Sequence, residues 1–285
     1  MKLSGRRTSS NVEDRRGLSG GGKAGMGIGG LIIAGLLTWM MGGNPLDVLQ
    51  SGLSQNIGYS QADYQPTAKE EERAQFVSKV LAGTEDVWGS IFKNSGQTYP
   101  APKLVLFRDV VQSSCGSATS AVGPFYCSAD QTVYIDLAFY DQMENELKAG
   151  GDFAYAYVIA HEVGHHVQNV LGTMDQVNAQ SARSSRTEAN RLSVRLELQA
   201  DFYAGIWAHY DNKMFGSIED GDIEEGLNAA EQIGDDMLQK KAQGHAVPDS
   251  FTHGTSAQRM RWLKKGLSTG DISQGDTFSV DYNSL

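Results

Sequence analysis

The segment Ala156–Gln168, AYVIAHEVGHHVQ, sets His161, Glu162, His165 and His166 directly after a strongly apolar run. A chain that buries such a run must satisfy those groups, because unpaired polar side chains in an apolar interior are costly. The run follows Gly150-Gly151, with Asp152 as its candidate cap, and its spacing predicts a helix over Asp152 to Val170. Positions four apart on a helix lie one above the other, about 6 Å along the axis. His161 and His165 therefore present two imidazoles to one point with Glu162 beside them, the pattern that holds Zn2+ with a glutamate as general base.

A second helix, predicted over Thr187 to Tyr210, supplies a third ligand. Its stretch RLELQADFYAG carries Glu197 and, one turn later on the same face, Asp201. Glu197 is the candidate metal ligand, and Asp201 the candidate acceptor for the second ring nitrogen of a ligating histidine. Three protein ligands leave a fourth position for water, which distinguishes a catalytic zinc site from a closed structural one. The expected reaction is hydrolysis of a peptide bond by a zinc-activated water, with Glu162 taking its proton and returning it to the departing amine. His253, in DSFTHGTS before a short helix carrying Arg259 and Arg261, is a candidate hydrogen-bond donor to the developing oxyanion.

His166 points about 100° away from His165 and reads as polar packing. The longer three-histidine pattern fails, because Gln168 and Leu171 stand where glycine and histidine are needed. No G-x-S-x-G elbow is present to support a serine nucleophile. The competing reading is a non-catalytic exported domain, stabilised by zinc and acting as a partner-binding protein; a fourth protein ligand would favour it.

From Ala24 to Gly43 no charged residue occurs, a length that suits one transmembrane helix, with Trp39 placed as an interfacial aromatic. The formal net charge of -10 divides into a net four positive charges before residue 25 and -14 after it. That asymmetry predicts a cytoplasmic amino terminus, an extracytoplasmic body and single-pass attachment to the cell membrane. The acidic body argues against nucleic acid as a partner. Cys115 and Cys127, the two cysteines, would form a disulfide in an oxidising compartment.

The resulting division is a basic tail at 1–23, the span at 24–43, a linker at 44–66 and a domain at 67–285. Thr67 opens a long apolar-faced helix that Gly83 could break, while Lys103–Phe107 and Thr132–Leu137 read as strands. Further helices are expected over Asp222 to Lys241 and from Ser256 to Lys265, stopping before Gly266. The fold class is α+β, mostly helical with a small sheet. The strand at Thr132–Leu137 is the expected partner for an extended substrate.

In NVEDRRG, HEVGHHVQ, RLELQADFYAGIWA and FTHGTSAQRMRWLKKG the sequence resembles the neutral zinc metallopeptidase family of bacteria, across nearly the whole chain. It is more distantly similar to membrane-associated gluzincin peptidases, including the prenyl-protein protease and heat-shock membrane protease families. The resemblance implies a zincin-like domain with His161, His165 and Glu197 as zinc ligands, Glu162 as general base and Asp201 as supporting carboxylate. The distant relatives embed catalysis among several membrane helices, whereas this chain has one candidate span, so their substrates do not transfer; a peptide or protein substrate is expected.

Overall fold

The computed structural model describes residues 1–20, 59–61 and 64–285. The candidate span at 24–43 lies outside the described residues, as does most of the 44–66 linker. Among the described residues, no helix is long and apolar enough to cross a membrane.

The chain opens with strands β1 (Val12–Asp14) and β2 (Leu18–Gly20), and β3 (Tyr59–Gln61) follows. Thr67 and Glu70 then form a reciprocal capping box that starts helix α1 (Ala68–Asn94). Strands β4 (Lys103–Phe107), β5 (Val110–Ser113), β6 (Gly116–Thr119), β7 (Phe125–Cys127) and β8 (Thr132–Asp136) come next. Helix α2 (Ala138–Gln142) runs into a π turn, Met143–Leu147. The remaining helices are α3 (Asp152–Val170), α4 (Thr173–Ser181), α5 (Arg186–Phe215), α6 (Asp222–Gln232), α7 (Asp235–Gln243) and α8 (Ser256–Thr269).

The main sheet has the order β1-β4-β8-β7, parallel except for β7, which is antiparallel to β8. Its two central strands alternate with a period of two, as a sheet covered on both faces requires. Leu104, Leu106, Val133 and Ile135 face the large core shared with α1, α3 and α5. Val105, Phe107 and Tyr134 face a smaller core under the β5–β6 hairpin. A disulfide between Cys115 and Cys127 ties that hairpin to β7.

Four expectations about elements change, each for a packing reason. Helix α1 runs unbroken through Gly83, where an added Cβ would stand 2.8 Å from Asp211 Oδ1 and 2.9 Å from Arg6 Nη2; the glycine makes room for an ion pair. The helix expected from Asp222 to Lys241 is two, α6 and α7, because Gly234 between them lies against the backbone of Ser256 at the start of α8. Helix α8 continues past Gly266, whose absent side chain lets it press on α5: a Cβ there would be 2.1 Å from Phe202 O. Asp152 is the first residue of α3 rather than its cap, which is Gly151; the backbone N–H of Phe153 donates instead to Glu225.

The largest correction concerns the amino terminus. Residues 1–20 belong to the folded body and are no detached tail. β1 pairs with β4 in parallel, the Arg6 guanidinium holds both carboxylate oxygens of Asp211 at 2.8 and 3.3 Å, and Arg16, 3% exposed, bonds Asp14 and Glu71. β2 and β3 pair antiparallel, which sets Leu18–Gly20 beside Tyr59–Gln61. Arg6→Ala, which strands a nearly fully buried Asp211, is expected to lower unfolding free energy by about 3–5 kcal/mol in denaturant titrations; a detached tail would give no change.

Candidate metal centre

Helices α3 and α5 are both buried almost all round where they meet. Every residue of α3 from Phe153 to Gln168 except Tyr155 is buried, and so is every residue of α5 from Glu197 to Ala208. Gly164, inside the His-Glu-Val-Gly-His segment, is the point of closest approach: a Cβ built there would meet Ala200 O at 2.9 Å and Ala200 Cα at 3.1 Å. That contact sets the separation of the two helices one turn from Glu197.

The structure brings His161, His165 and Glu197 together, with one potential ligand atom from each lying within 4.8 Å of the others. His161 Nε2 is 3.1 Å from Glu197 Oε2, and His165 Nε2 is 3.3 Å from Glu197 Oε1. Both rings offer Nε2 because their other nitrogen is engaged. Asp201 Oδ1 accepts from His161 Nδ1 at 2.8 Å. The Gln168 carboxamide, whose nitrogen donates to Leu196 O and Gln199, turns its oxygen to His165 Nδ1 at 2.9 Å. Two imidazoles held at Nδ1, each able to give up its Nε2 proton to a metal, and one carboxylate form a donor set that fits Zn2+ with a position left open.

Asp201 is fully buried, yet its charge is compensated from two other helices. Arg259 of α8 donates to both its oxygens at 2.9 Å, and Tyr157 of α3 donates at 2.6 Å. Burial works to raise this carboxyl, but Arg259 and the His161 ring hold it down to about 2. Burial likewise works against a charged His161, but Asp201 and Glu197 on its two sides raise its pKa to about 10. Glu197 is held well below the usual carboxylate range by the two rings, against its burial. Glu162, by contrast, is pushed up by burial.

Glu162 and His253 line the same cleft of about 520 Å3 as the three candidate ligands. His253 is positioned by a residue that sequence reasoning passed over, Asp235 at the start of α7. Asp235 Oδ1 takes the His253 Nδ1 bond at 3.0 Å, and its Oδ2 accepts the backbone N–H groups of Thr252, His253 and Gly254. Nothing local announces Asp235, which lies 18 positions away from His253. Gln168 was more accessible, since it sits one helical turn after His165 on the same face. Tyr157 sits one turn before His161 on the same helix and gains its bond to Asp201 by packing, whereas Arg259 joins the site only through tertiary packing.

His166 is polar packing with a specific role. Its Nε2 donates to Pro100 O at 2.6 Å, and its Nδ1 lies 3.0 Å from the Tyr126 hydroxyl, which pins β7 to α3. Burial pushes its pKa down. β8 cannot be the substrate-pairing strand, because β4 and β7 occupy its two sides and all five of its residues are buried. The sheet edge that borders the cleft is β7, through Phe125 and Tyr126. A second acidic group, Asp152, Asp222 and Glu225, likewise brings one carboxylate oxygen of each within 4.8 Å of the others. Its charge is balanced by the Met1 ammonium, 2.7 Å from Asp152 and 3.1 Å from Asp222, whose pKa rises to about 10 against its own burial.

Two outcomes test this geometry. Gly164→Ala must part α3 and α5 by a few tenths of an ångström, an overpacking of about 1–3 kcal/mol, and is expected to weaken zinc about tenfold in chelator competition. In the zinc-free protein His161 carries its proton at neutral pH, whereas a metal takes the neutral ring. Zinc affinity should therefore rise with pH between about 6 and 8, about tenfold per unit for each proton released; a flat profile would show that no proton is displaced.

No solved structure matches this chain. "Uncharacterized protein YpfJ" of Escherichia coli strain K12 is 49% identical over 285 residues, covering 98% of this chain and 99% of that protein. "Uncharacterized protein Rv2575" of Mycobacterium tuberculosis strain H37Rv is 39% identical over 218 residues, 72% of each chain. The family described as "Putative neutral zinc metallopeptidase" matches residues 1–278, a span that includes the packed amino terminus. On that match, and with a donor set suited to zinc, the chain belongs to this zinc metallopeptidase family.

Proposed function

We propose that this chain is a zinc-dependent peptidase in which His161, His165 and Glu197 hold the metal and Glu162 is the general base. The observation that carries the reading is the convergence of the two Nε2 atoms on the Glu197 carboxylate at the floor of a cleft that also contains Glu162. Bound zinc supplies Lewis acidity, lowering the pKa of water towards 7 and polarising the scissile carbonyl. Glu162 takes the proton of the attacking water and passes it to the leaving amine. Its raised pKa brings it closer to neutrality, where a carboxyl can both accept and return a proton.

Asp201 and Gln168 keep the two imidazoles in the tautomers that expose Nε2, and Arg259 balances the charge of Asp201. His253, whose Nδ1 is held by Asp235 Oδ1, faces the cleft as the group that stabilises the developing oxyanion. An extended peptide lies along β7, adding main-chain hydrogen bonds at a sheet edge. We also place the body on the outer side of the cell membrane, with residues 24–43 as its contact with the bilayer. The Cys115–Cys127 bridge favours an oxidising compartment, and residues 1–20 go there with the body they belong to.

The test is purified full chain, wild type and Glu162→Gln, assayed for bound zinc and for cleavage of an unbiased peptide library. Both are expected to bind zinc, and the variant to cut slower by a factor on the order of 10² to 10⁴. Zinc in both with cleavage by neither would favour a zinc-stabilised partner-binding domain. His253→Ala should lower turnover with zinc retained; loss of the metal would instead make His253 a ligand.

A further inference from the structure

Away from its polar floor, the cleft is an apolar channel. Phe125 of β7, Phe139 of α2 and Leu147 of the π turn line it from the sheet side of the molecule, and Met174 of α4, Ile233 and Leu238 from the helical side. All six are partly exposed, surface that the described residues leave unpacked beside the candidate metal centre. Other buried apolar side chains of this domain close on one another. Concave, mostly apolar sites with a few convergent polar groups are the usual form of a binding cleft, and this one has space for far more than water at its floor.

Among the described residues that line the cleft, charge is confined to two places. On the floor are the candidate metal ligands, Glu162, His253 and Arg259, whose guanidinium is committed to Asp201. At the rim are Glu146 and Lys241, both exposed. Between floor and rim, a charged substrate side chain would lose its water among Phe139, Leu147, Met174 and Leu238 with no counter-ion to meet it. A leucine, isoleucine, phenylalanine or methionine side chain would gain the same surface as contact.

We propose, resting on the peptidase reading above, that the cleft selects polypeptide segments with a bulky apolar residue flanking the scissile bond. Such residues are mostly buried in folded proteins. The substrates are therefore unfolded or locally extended segments and released peptides, presented along β7 with an apolar side chain between the wall of Phe139 and that of Leu238.

The experiment uses two blocked hexapeptides, identical except for Phe-Leu or Asp-Gln at the centre. Binding to the zinc-loaded Glu162→Gln full chain is measured by calorimetry, and cleavage by the zinc-loaded wild type as kcat/KM. The Phe-Leu peptide is expected to bind and to be cut better by at least about tenfold. Leu238→Gln and, separately, Phe139→Gln should each erode that advantage with zinc content unchanged; two variants on different elements guard against one failing to fold. Equal binding of the two peptides, or cleavage indifferent to the pair, overturns the proposal. Preferential binding of the apolar peptide with cleavage of neither peptide leaves the selectivity standing and removes the peptidase reading instead.

Discussion

Asp201 is a carboxylate with no access to water, and most of the architecture of the candidate metal centre follows from keeping it charged. An uncompensated buried charge is intolerable in a protein interior. The compensation comes from His161 and Tyr157 on α3 and from Arg259 on α8, so one anion on α5 holds three helices in register. The same bonds turn His161 so that Nε2 faces Glu197. Stability and site geometry here are one set of contacts: the ion pair that closes the helical core also orients a candidate metal ligand.

Glycine lets those helices come close enough for the charges to meet. Gly164 brings α3 against α5, and the Gly205–Gly266 contact brings α5 against α8, in each case where a methyl group would strike backbone. Side-chain packing alone holds helices 8–10 Å apart. At that separation the reach from Glu197 to two imidazoles on a neighbouring helix depends on which residues stand at the crossing. The glycine between the two histidines is thus as much a part of the candidate site as the polar residues, though it touches no ligand.

The sheet side contributes the other wall. Its edge strand β7 is held three ways: by β8 through the backbone, by the disulfide to the β5–β6 hairpin, and by the Tyr126–His166–Pro100 contacts to α3. On the far edge of the sheet, β1 makes the amino terminus part of the body. A family match beginning at residue 1 accords with this, since NVEDRRG occupies a strand and a buried arginine rather than a solvated tail.

What the sequence determined by itself is what short-range periodicity encodes. The spacing of His161, Glu162 and His165, and of Glu197 and Asp201, places side chains on helix faces whatever the rest of the chain does. Helix α3 and strand β4 have the expected limits because their apolar runs end in clear punctuation. The tertiary structure alone decided the rest. β1 is three mostly polar residues, whose strand character comes from its partner β4 and not from its own pattern. Asp235 and Arg259 reach the site from distant positions, and no local rule couples them. β8 reads as a fine edge strand in isolation, and only the sheet order shows both its sides filled and the free edge passed to β7. Local sequence fixes which way a side chain leaves its helix or strand; which helix or strand it meets there depends on long-range packing, where a glycine, a buried charge or a neighbouring strand chooses among arrangements of similar local energy.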